Sequence, residues 1–191
     1  MDYPQRLRTP RLLFSRIAHN DLDDFIAVFS HPRVPRTLDT SDAPSSADLW
    51  DAHIDHWVRY GYGWWTVREP QTNRFLGCGG LQPTVVEKAR EIEVAWAFPS
   101  QFSARGYASE LVRITLAQGF VRLGAHELVS VVPDDDAASR RLVEKAGFLG
   151  ERQIVRAHRR HVVYRVTATA WCAAVPVRET RTGTAAFLHT V

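Results

Sequence analysis

The sequence predicts an α+β domain built around one central sheet. The chain has 191 residues, of which 45% are hydrophobic, and this is enough for one compact core. Short strand-like runs alternate with amphipathic helical ones in the order β-α-α-β-β-β-α-β-α-β-β, which combines hairpins with helical connections. The chain contains neither an internal repeat nor a convincing linker. Residues 1–171 are therefore expected to form the domain and residues 172–191 a C-terminal extension.

The first third of the chain predicts one strand and two helices. The strand covers residues 11–17, and the first helix begins near Asn20 or Asp21, whose side chains suit an N-cap. A polar loop over residues 37–46 leads to a second helix over residues 46–60. Its apolar side chains recur at helical spacing, at Leu49, Trp50, Ile54 and Trp57.

A hairpin and a third strand follow in the middle of the chain. The runs 64–67 and 75–81 are rich in strand-forming residues and are joined by a polar turn. The next strand, over residues 91–98, alternates strictly. Glu93, Ala95 and Ala97 lie on one face, and Val94, Trp96 and Phe98 on the other.

The last part of the domain alternates helices and strands. A helix over residues 106–123 is apolar around most of its circumference, which indicates packing on both sides. A buried strand over 127–132 precedes a helix over 137–146 with an acidic N-cap and a glycine at its C-terminal end. Strands over 148–155 and 161–166 complete the domain.

The composition excludes several classes of function. The net charge is +3 and the isoelectric point is 9.1, without a run of like charges, which argues against nucleic acid as a partner. The two cysteines, Cys78 and Cys172, lack the spacing of a zinc site or a disulfide framework, and the acidic run 134–136 is an ordinary helix cap rather than a metal site. No stretch is apolar enough to span a membrane. We expect a cytoplasmic protein without metal or membrane contact.

The segment around residue 105 suggests an anion site. A strand ends at Phe98, a loop follows, and a helix begins at Gly106, so several backbone N–H groups are free to bind phosphate. Gly106 allows close approach, Ala104 is nearly as small, and Arg105 adds a positive charge. By itself the pattern fits an ordinary tight turn equally well.

Four separate blocks of sequence resemble the GNAT superfamily of acetyltransferases. The segment from Gln101 to Gly106 resembles the family's Gln/Arg-x-x-Gly-x-Gly/Ala signature, although Ala104 stands where glycine is usual. Three further segments are similar to the branch that acetylates ribosomal-protein N-termini (alanine or serine): Tyr107-Ala108-Ser109-Glu110, the segment from Asp136 to Phe148, and Thr9-Pro10-Arg11-Leu12. In the second of these, Asp136 replaces the usual asparagine. The resemblance spans residues 9–166.

The resemblance implies an α/β/α sandwich that binds acetyl-CoA. Its sheet would be mixed, mostly antiparallel and of six to seven strands, with a splayed V between strands 4 and 5 that holds the cofactor. The pantetheine arm would pair with the strand at Trp96, Ala97 and Phe98, and the backbone from Ala104 to Ser109 would hold the pyrophosphate. The implied cofactor residues are Trp96, Ala97, Phe98, Gln101, Ala104, Arg105, Gly106, Tyr107, Ala108, Ser109, Asp136 and Ser139.

Two residues are the candidate catalytic groups. Glu93 stands where related enzymes carry a glutamate, and it would act as general base through water; the alternative is a strand-edge carboxylate paired with an arginine such as Arg90. Glu91, on the same face, is the substitute candidate. Many relatives use a tyrosine as acid, but Val143 stands at that position, so Ser139 is the candidate acid. Alternatively, Ser139 only bonds backbone at the helix start.

The predicted function is transfer of an acetyl group from acetyl-CoA to a primary amine, either a protein or peptide N-terminus or a small molecule. One alternative is an acyl-CoA-binding module without turnover, suggested by Ala104, Asp136 and the missing tyrosine. An aminoglycoside or polyamine acetyltransferase is another. A dinucleotide site at residues 77–80 is excluded because Leu81-Gln82-Pro83 follows where a helix must begin.

Histidines and aromatic residues of the first third of the chain are the candidates for the acceptor side. His53 and His56 could reach an acceptor channel or could be packing residues. Aromatic side chains cluster where related enzymes build the acceptor site, at Trp57, Tyr60, Trp64 and Trp65; the alternative is that most of them are core residues. The segment after Trp171 could pack on a partner subunit, so a homodimer is one possible assembly.

Overall fold

The computed structural model describes residues 3–29 and 46–174. Eight strands form one sheet: β1 (Arg6–Arg8), β2 (Leu13–Arg16), β3 (Trp64–Arg68), β4 (Phe75–Val86), β5 (Ala89–Ala97), β6 (Glu127–Pro133), β7 (Leu149–Arg156) and β8 (Arg159–Thr167). The helices are α1 (Leu22–Phe29), α2 (Ser46–Tyr60), α3 (Tyr107–Ala117), α4 (Ala137–Lys145) and α5 (Ala168–Ala174).

The sheet has the order β1-β2-β3-β4-β5-β6-β8-β7. Neighbouring strands are antiparallel except β5 and β6, which run parallel and pair only at Glu93 and Val129. Beyond that one pair the two strands separate, while β5 stays paired with β4 as far as Ala97 opposite Cys78. The predicted α+β fold and the splay in the middle of its sheet are both confirmed.

Helices cover both faces of the sheet. Leu111 of α3 packs against Gly79, where an added Cβ would lie 2.5 Å from the carbonyl oxygen of Ala95 and 2.7 Å from Leu111. Only glycine at position 79 lets α3 approach the strand this closely.

The preceding residue, Cys78, points to the other face of the sheet. Burial raises the pKa of its thiol, and the carboxylate of Asp21, just before α1, adds a smaller increase.

The structure differs from the sequence prediction at both ends of the domain. The sheet has eight strands rather than six or seven, because β1 contains a single buried side chain, Leu7, and gives no periodic signal. Helix α5 runs through the predicted boundary at residue 171. The remainder of the proposed extension, residues 175–191, and most of the proposed loop over 37–46 lie outside the described residues.

The long predicted helix over residues 106–123 has two parts. Helix α3 ends at Ala117 and continues into a π-helical segment over Gln118–Arg122. The core lies on both sides of the sheet and includes the fully buried Trp50, Trp65 and Leu111. Among the described helices, none combines the length and apolar character needed to cross a membrane.

Candidate active site

The gap between β5 and β6 is the central feature of the site. Two side chains bridge it close to the point where the backbones separate. The Glu93 carboxylate accepts a hydrogen bond from the Val131 N–H at 3.2 Å, and the Ser130 hydroxyl donates to the Val94 carbonyl at 3.0 Å. From Ala95 to Ala97 the β6-facing edge of β5 has no partner strand, so its backbone groups are available to an extended amide-bearing ligand.

A large cavity of about 580 Å³ opens beside this edge and is called the cofactor cavity here. It lies between the end of β5, the loop before α3 and the first turns of α3 and α4. Its lining includes most of the predicted cofactor residues, namely Trp96, Ala97, Phe98, Ala104, Gly106, Tyr107, Ala108, Ser109, Asp136 and Ser139. Gln101 and Arg105 are exposed and lie outside this lining.

The loop before α3 has the backbone shape of an anion cradle. Gly106 caps the helix in the left-handed region with a φ of 79°, and Ala104 is left-handed too, with a φ of 61°. An L-residue in this region costs about 1–2 kcal/mol relative to its usual conformations, which is why glycine is favoured there. The first-turn N–H groups of α3 have no partner within the helix and face the cavity.

The N-terminal segment holds this loop in place. Arg11 binds Glu110 of α3 through two nitrogens, with its Nε 3.0 Å from Oε2, and donates to the Arg105 carbonyl at 3.1 Å. The Thr9 hydroxyl donates to the second oxygen of Glu110 at 2.5 Å. Glu110 is buried, with 7% of its surface exposed, so it needs these partners. Thr9 and Arg11 therefore hold the loop before α3 from outside the cavity.

Asp136 and Ser139 are bonded to each other at the start of α4. The Asp136 carboxylate caps the helix by accepting the Ser139 N–H at 3.0 Å, and it also accepts the Ser139 hydroxyl at 2.7 Å. The hydroxyl proton therefore points at a carboxylate. Val143, at the position of the family tyrosine, is fully buried in the core.

Two cations of α4 border the cofactor cavity and were not among the predicted site residues. Arg141 and Lys145 are four residues apart and both line the cofactor cavity, as does Leu142 between them. The spacing is visible in the sequence, but nothing there shows that this helix face borders the cavity. The acidic residues just before α4 form ion pairs with arginines: Asp134 with Arg140 at 3.2 Å and Asp135 with Arg159 at 2.7 Å. No group of metal-binding side chains occurs within residues 3–29 and 46–174.

A second, smaller cavity of about 70 Å³, the inner cavity, adjoins the first. Trp96, Ala97 and Ser139 line both, so they mark the passage between the two. The polar side chains of the inner cavity are Gln82, Glu93, Ser130, Ser139, Arg156 and His161.

Glu93 is buried and has several partners there. Besides Val131, its carboxylate accepts the Gln82 amide at 3.0 Å and lies 3.7 Å from the Arg156 guanidinium. The arginine beside Glu93 is therefore Arg156 of β7 and not the expected Arg90. Glu91 forms its ion pair with Arg165 at 2.9 Å. A carboxylate has about four acceptor positions, so Glu93 retains capacity for one further donor.

The aromatic residues and histidines of the acceptor side mostly pack against one another. Trp64 lines the inner cavity, and His53 stacks on it at 4.2 Å between ring centroids. Burial, together with the nearby His56, lowers the pKa of His53 to about 4. His56 packs against Tyr60 and Tyr62. Trp57 and Trp65 are core residues, whereas Tyr60 is 62% exposed.

A model of the acetyltransferase (GNAT) domain matches residues 11–149, which is most of the chain. The chain belongs to the GNAT acetyltransferases. Among curated relatives of this GNAT chain, the Bacillus subtilis protein YkkB is 30% identical over 88 residues, covering 46% of this chain and 51% of that protein. The uncharacterized N-acetyltransferase YoaA of the same organism is 26% identical over 148 residues, covering 76% and 83%. The chain thus spans only about half the length of YkkB.

Solved structures of other GNAT proteins share the fold. One from Bordetella pertussis superposes with a TM-score of 0.74 at 23% identity, covering 85% of this chain and 99% of its own. The ribosomal-protein-S5-alanine acetyltransferase of Vibrio fischeri superposes with a TM-score of 0.69 at 12% identity, covering 87% and 98%. At these identities the two matches show a shared fold.

The described residues of this GNAT chain fit acetyl-CoA, the donor of the family. The left-handed backbone at Ala104 and Gly106 shapes a cradle for a diphosphate, and Arg141 and Lys145 supply cations beside it. The unpartnered edge of β5 suits the amides of a pantetheine arm. The passage at Trp96 and Ser139 then leads to the buried Glu93.

Proposed function

We propose that this protein transfers the acetyl group of acetyl-CoA to a primary amine, either the N-terminal amine of a protein or peptide or the amine of a small molecule. The observation that carries the proposal is the pair of adjoining cavities. One is large and bordered by cations and helix N–H groups, and the other is small and contains a buried carboxylate. Acetyl-CoA supplies an activated acyl carbon with a thiolate as its leaving group.

The residues of the cofactor cavity would bind and orient the donor. The backbone from Ala104 to Ser109 would hold the pyrophosphate, and the β5 edge from Trp96 to Phe98 would pair with the pantetheine amides. Arg141 and Lys145 would bind phosphate at the outer end. This arrangement directs the thioester toward the passage between the cavities.

Glu93 is assigned as the general base. An amine is protonated near neutral pH and must lose a proton before it attacks, and the side chain of Glu93 accepts this proton through a water molecule. The inner cavity of about 70 Å³ has room for about two waters at roughly 30 Å³ each. Gln82, Arg156 and the Val131 N–H fix the orientation of the carboxylate.

A single amine suits the inner cavity better than a polyamine does. Its described lining carries one carboxylate, which faces Arg156, and so offers no surplus of negative charge for several ammonium groups. This favours a peptide N-terminus or a small monoamine over spermidine-like acceptors.

The test is release of CoA thiol from acetyl-CoA with three sets of acceptors: peptides with free N-termini, the same peptides with blocked N-termini, and polyamines. Turnover with free N-termini and none with blocked ones is expected, with mass spectrometry locating the acetyl group on the α-amine. Tight acetyl-CoA binding without turnover on any amine would instead identify a binding module, and preference for spermidine would overturn the acceptor assignment.

A further inference from the structure

His161 is a buried histidine beside the reacting end of the site. It lies on β8 opposite Pro133 of β6, is 4% exposed, and lines the inner cavity together with Glu93 and Ser139. Nothing in the sequence marks it, because it lies 22 residues beyond the Ser139 helix start and reaches the site only through the pairing of β6 with β8.

The hydrogen bond of His161 defines which ring nitrogen is basic. Its Nδ1 lies 3.0 Å from the Arg159 carbonyl oxygen. A carbonyl only accepts, so Nδ1 must carry the proton, and in the neutral ring Nε2 then has the free lone pair. The Arg159 carbonyl thus holds the ring at Nδ1, and Nε2 is the nitrogen that can accept a proton.

The reaction needs a second proton carrier. An ammonium that becomes an amide loses two protons, and the departing thiolate gains one. In the proposed function Glu93 takes the first proton before attack. Ser139 is poorly placed to supply the thiolate, because its hydroxyl proton is already donated to the Asp136 carboxylate at 2.7 Å.

We propose that His161 carries the second proton from the acceptor nitrogen to the leaving sulfur, a role that rests on the proposed function. The nitrogen lone pair bonds to the acetyl carbon, and the carbon–sulfur bond breaks with its electron pair on sulfur. Nε2 of His161 takes the remaining surplus proton from nitrogen and returns it to the thiolate. The ring ends neutral, with CoA thiol and amide as products.

The dimensions of the site allow this transfer. The inner cavity of about 70 Å³ has room for about two waters at roughly 30 Å³ each, and such waters can relay a proton between polar groups of the lining. Trp96 and Ala97, which face the donor, line the same cavity. Proton transfer by a positioned histidine contributes roughly 10²–10⁴-fold to rate.

His161→Asn is the decisive variant, because asparagine can keep a donor near the Arg159 carbonyl but has no titratable nitrogen. His158→Asn is the matched control, since His158 is exposed in the adjacent turn and its left-handed backbone, with a φ of 60°, suits asparagine. We expect kcat to fall about 100-fold or more in His161→Asn, with unchanged acetyl-CoA affinity and melting temperature. His158→Asn should match the wild type.

A measurement on the unmodified protein tests the geometry without any acceptor. Long-range ¹⁵N–¹H NMR of the assigned His161 ring should show the proton on Nδ1. A proton on Nε2 in the neutral ring would overturn the proposal. Full activity of folded His161→Asn would also overturn it. If that variant does not fold, His161→Gln takes its place. A wild type inert toward every amine would overturn the proposed function itself, whereas an active wild type with an equally active variant removes only the role of His161.

Discussion

The carboxylate of Glu93 accepts the backbone N–H of Val131 at 3.2 Å, across the point where β5 and β6 separate. The same side chain is therefore both the proposed base and a bridge between the two halves of the sheet. The Val131 N–H would otherwise be a buried donor without a hydrogen-bond partner. The Glu93 side chain supplies that partner while the two strands stay far enough apart for a ligand to enter. A substitution that tests the chemical role of Glu93 must therefore keep its hydrogen bond to Val131.

Glu93→Gln should abolish most of the activity while preserving the fold. The amide oxygen can still accept from Val131, but the amide cannot take a proton, so kcat should fall about 10²-fold or more. Thiol release measures the rate, and calorimetry with CoA checks the cofactor site. Glu91→Gln tests the alternative base; because Glu91 is bonded to Arg165, we expect little loss of activity. The reverse pattern would assign the base to Glu91.

Arg11→Gln should weaken cofactor binding from outside the cavity. The substitution removes the contacts to Glu110 and to the Arg105 carbonyl, and leaves a buried carboxylate with Thr9. We expect a loss of about 1 kcal/mol in CoA binding, or roughly fivefold in Kd, because Arg11 is half exposed and its ion pair is screened. Arg8→Gln, at an exposed position on β1, is the control. Equal affinity in both variants would show that the Arg11 contacts are not needed.

Lys145→Gln should reduce affinity for CoA more than for dephospho-CoA if this lysine binds the ribose phosphate. The expected effect is again about 1 kcal/mol, and it should shrink as salt is added. Titration calorimetry at two salt concentrations gives both comparisons. Lys88→Gln removes the chain's other lysine, in the exposed turn after β4, and should have no effect. An equal loss for both ligands would place Lys145 near the diphosphate instead.

Ala104→Gly should stabilise the protein slightly. Ala104 has a φ of 61°, and removal of its Cβ relieves about 1–2 kcal/mol of strain, offset by about 0.5–1 kcal/mol of added freedom in the unfolded chain. Urea denaturation should show a higher free energy of unfolding. Ala117→Gly, where the backbone is helical with a φ of −60°, should lower it by about 1 kcal/mol. Destabilisation by both changes would mean that Ala104 is not strained.

Acidification should destabilise the protein through His53. Burial and the nearby His56 lower the pKa of His53 to about 4 in the folded chain, from 6.5 for a free side chain. As pH falls from about 6.5 to 4, the unfolded state binds this proton first, so stability drops by at most about 1.4 kcal/mol per pH unit. His53→Gln should flatten this slope, measured by chemical denaturation at several pH values. His126→Gln, at an exposed residue, should leave it unchanged.

The sequence determined the local structure and the class of the protein. Periodicity placed the main strands and helices, and the block around Gly106 carried the family resemblance because it is a short, contiguous pattern of residues. β1 and α5 were missed because each is too short to show a period, with three and seven residues. Ala104 and Asp136 were recognised as departures and an acidic cap was predicted for α4, but only the structure shows that the capping side chain of Asp136 also binds the Ser139 hydroxyl.

Tertiary structure decided which distant side chains meet. Arg11 and Glu110 are 99 residues apart, and no periodicity relates them. Glu93 was predicted from its strand, yet its partners Gln82, Val131 and Arg156 come from three other strands. His161 lies beside the inner cavity because β8 pairs with β6 and places it opposite Pro133. The family can be identified from local pattern, whereas the proposed proton-transfer groups are brought together by strand pairing from positions far apart along the chain.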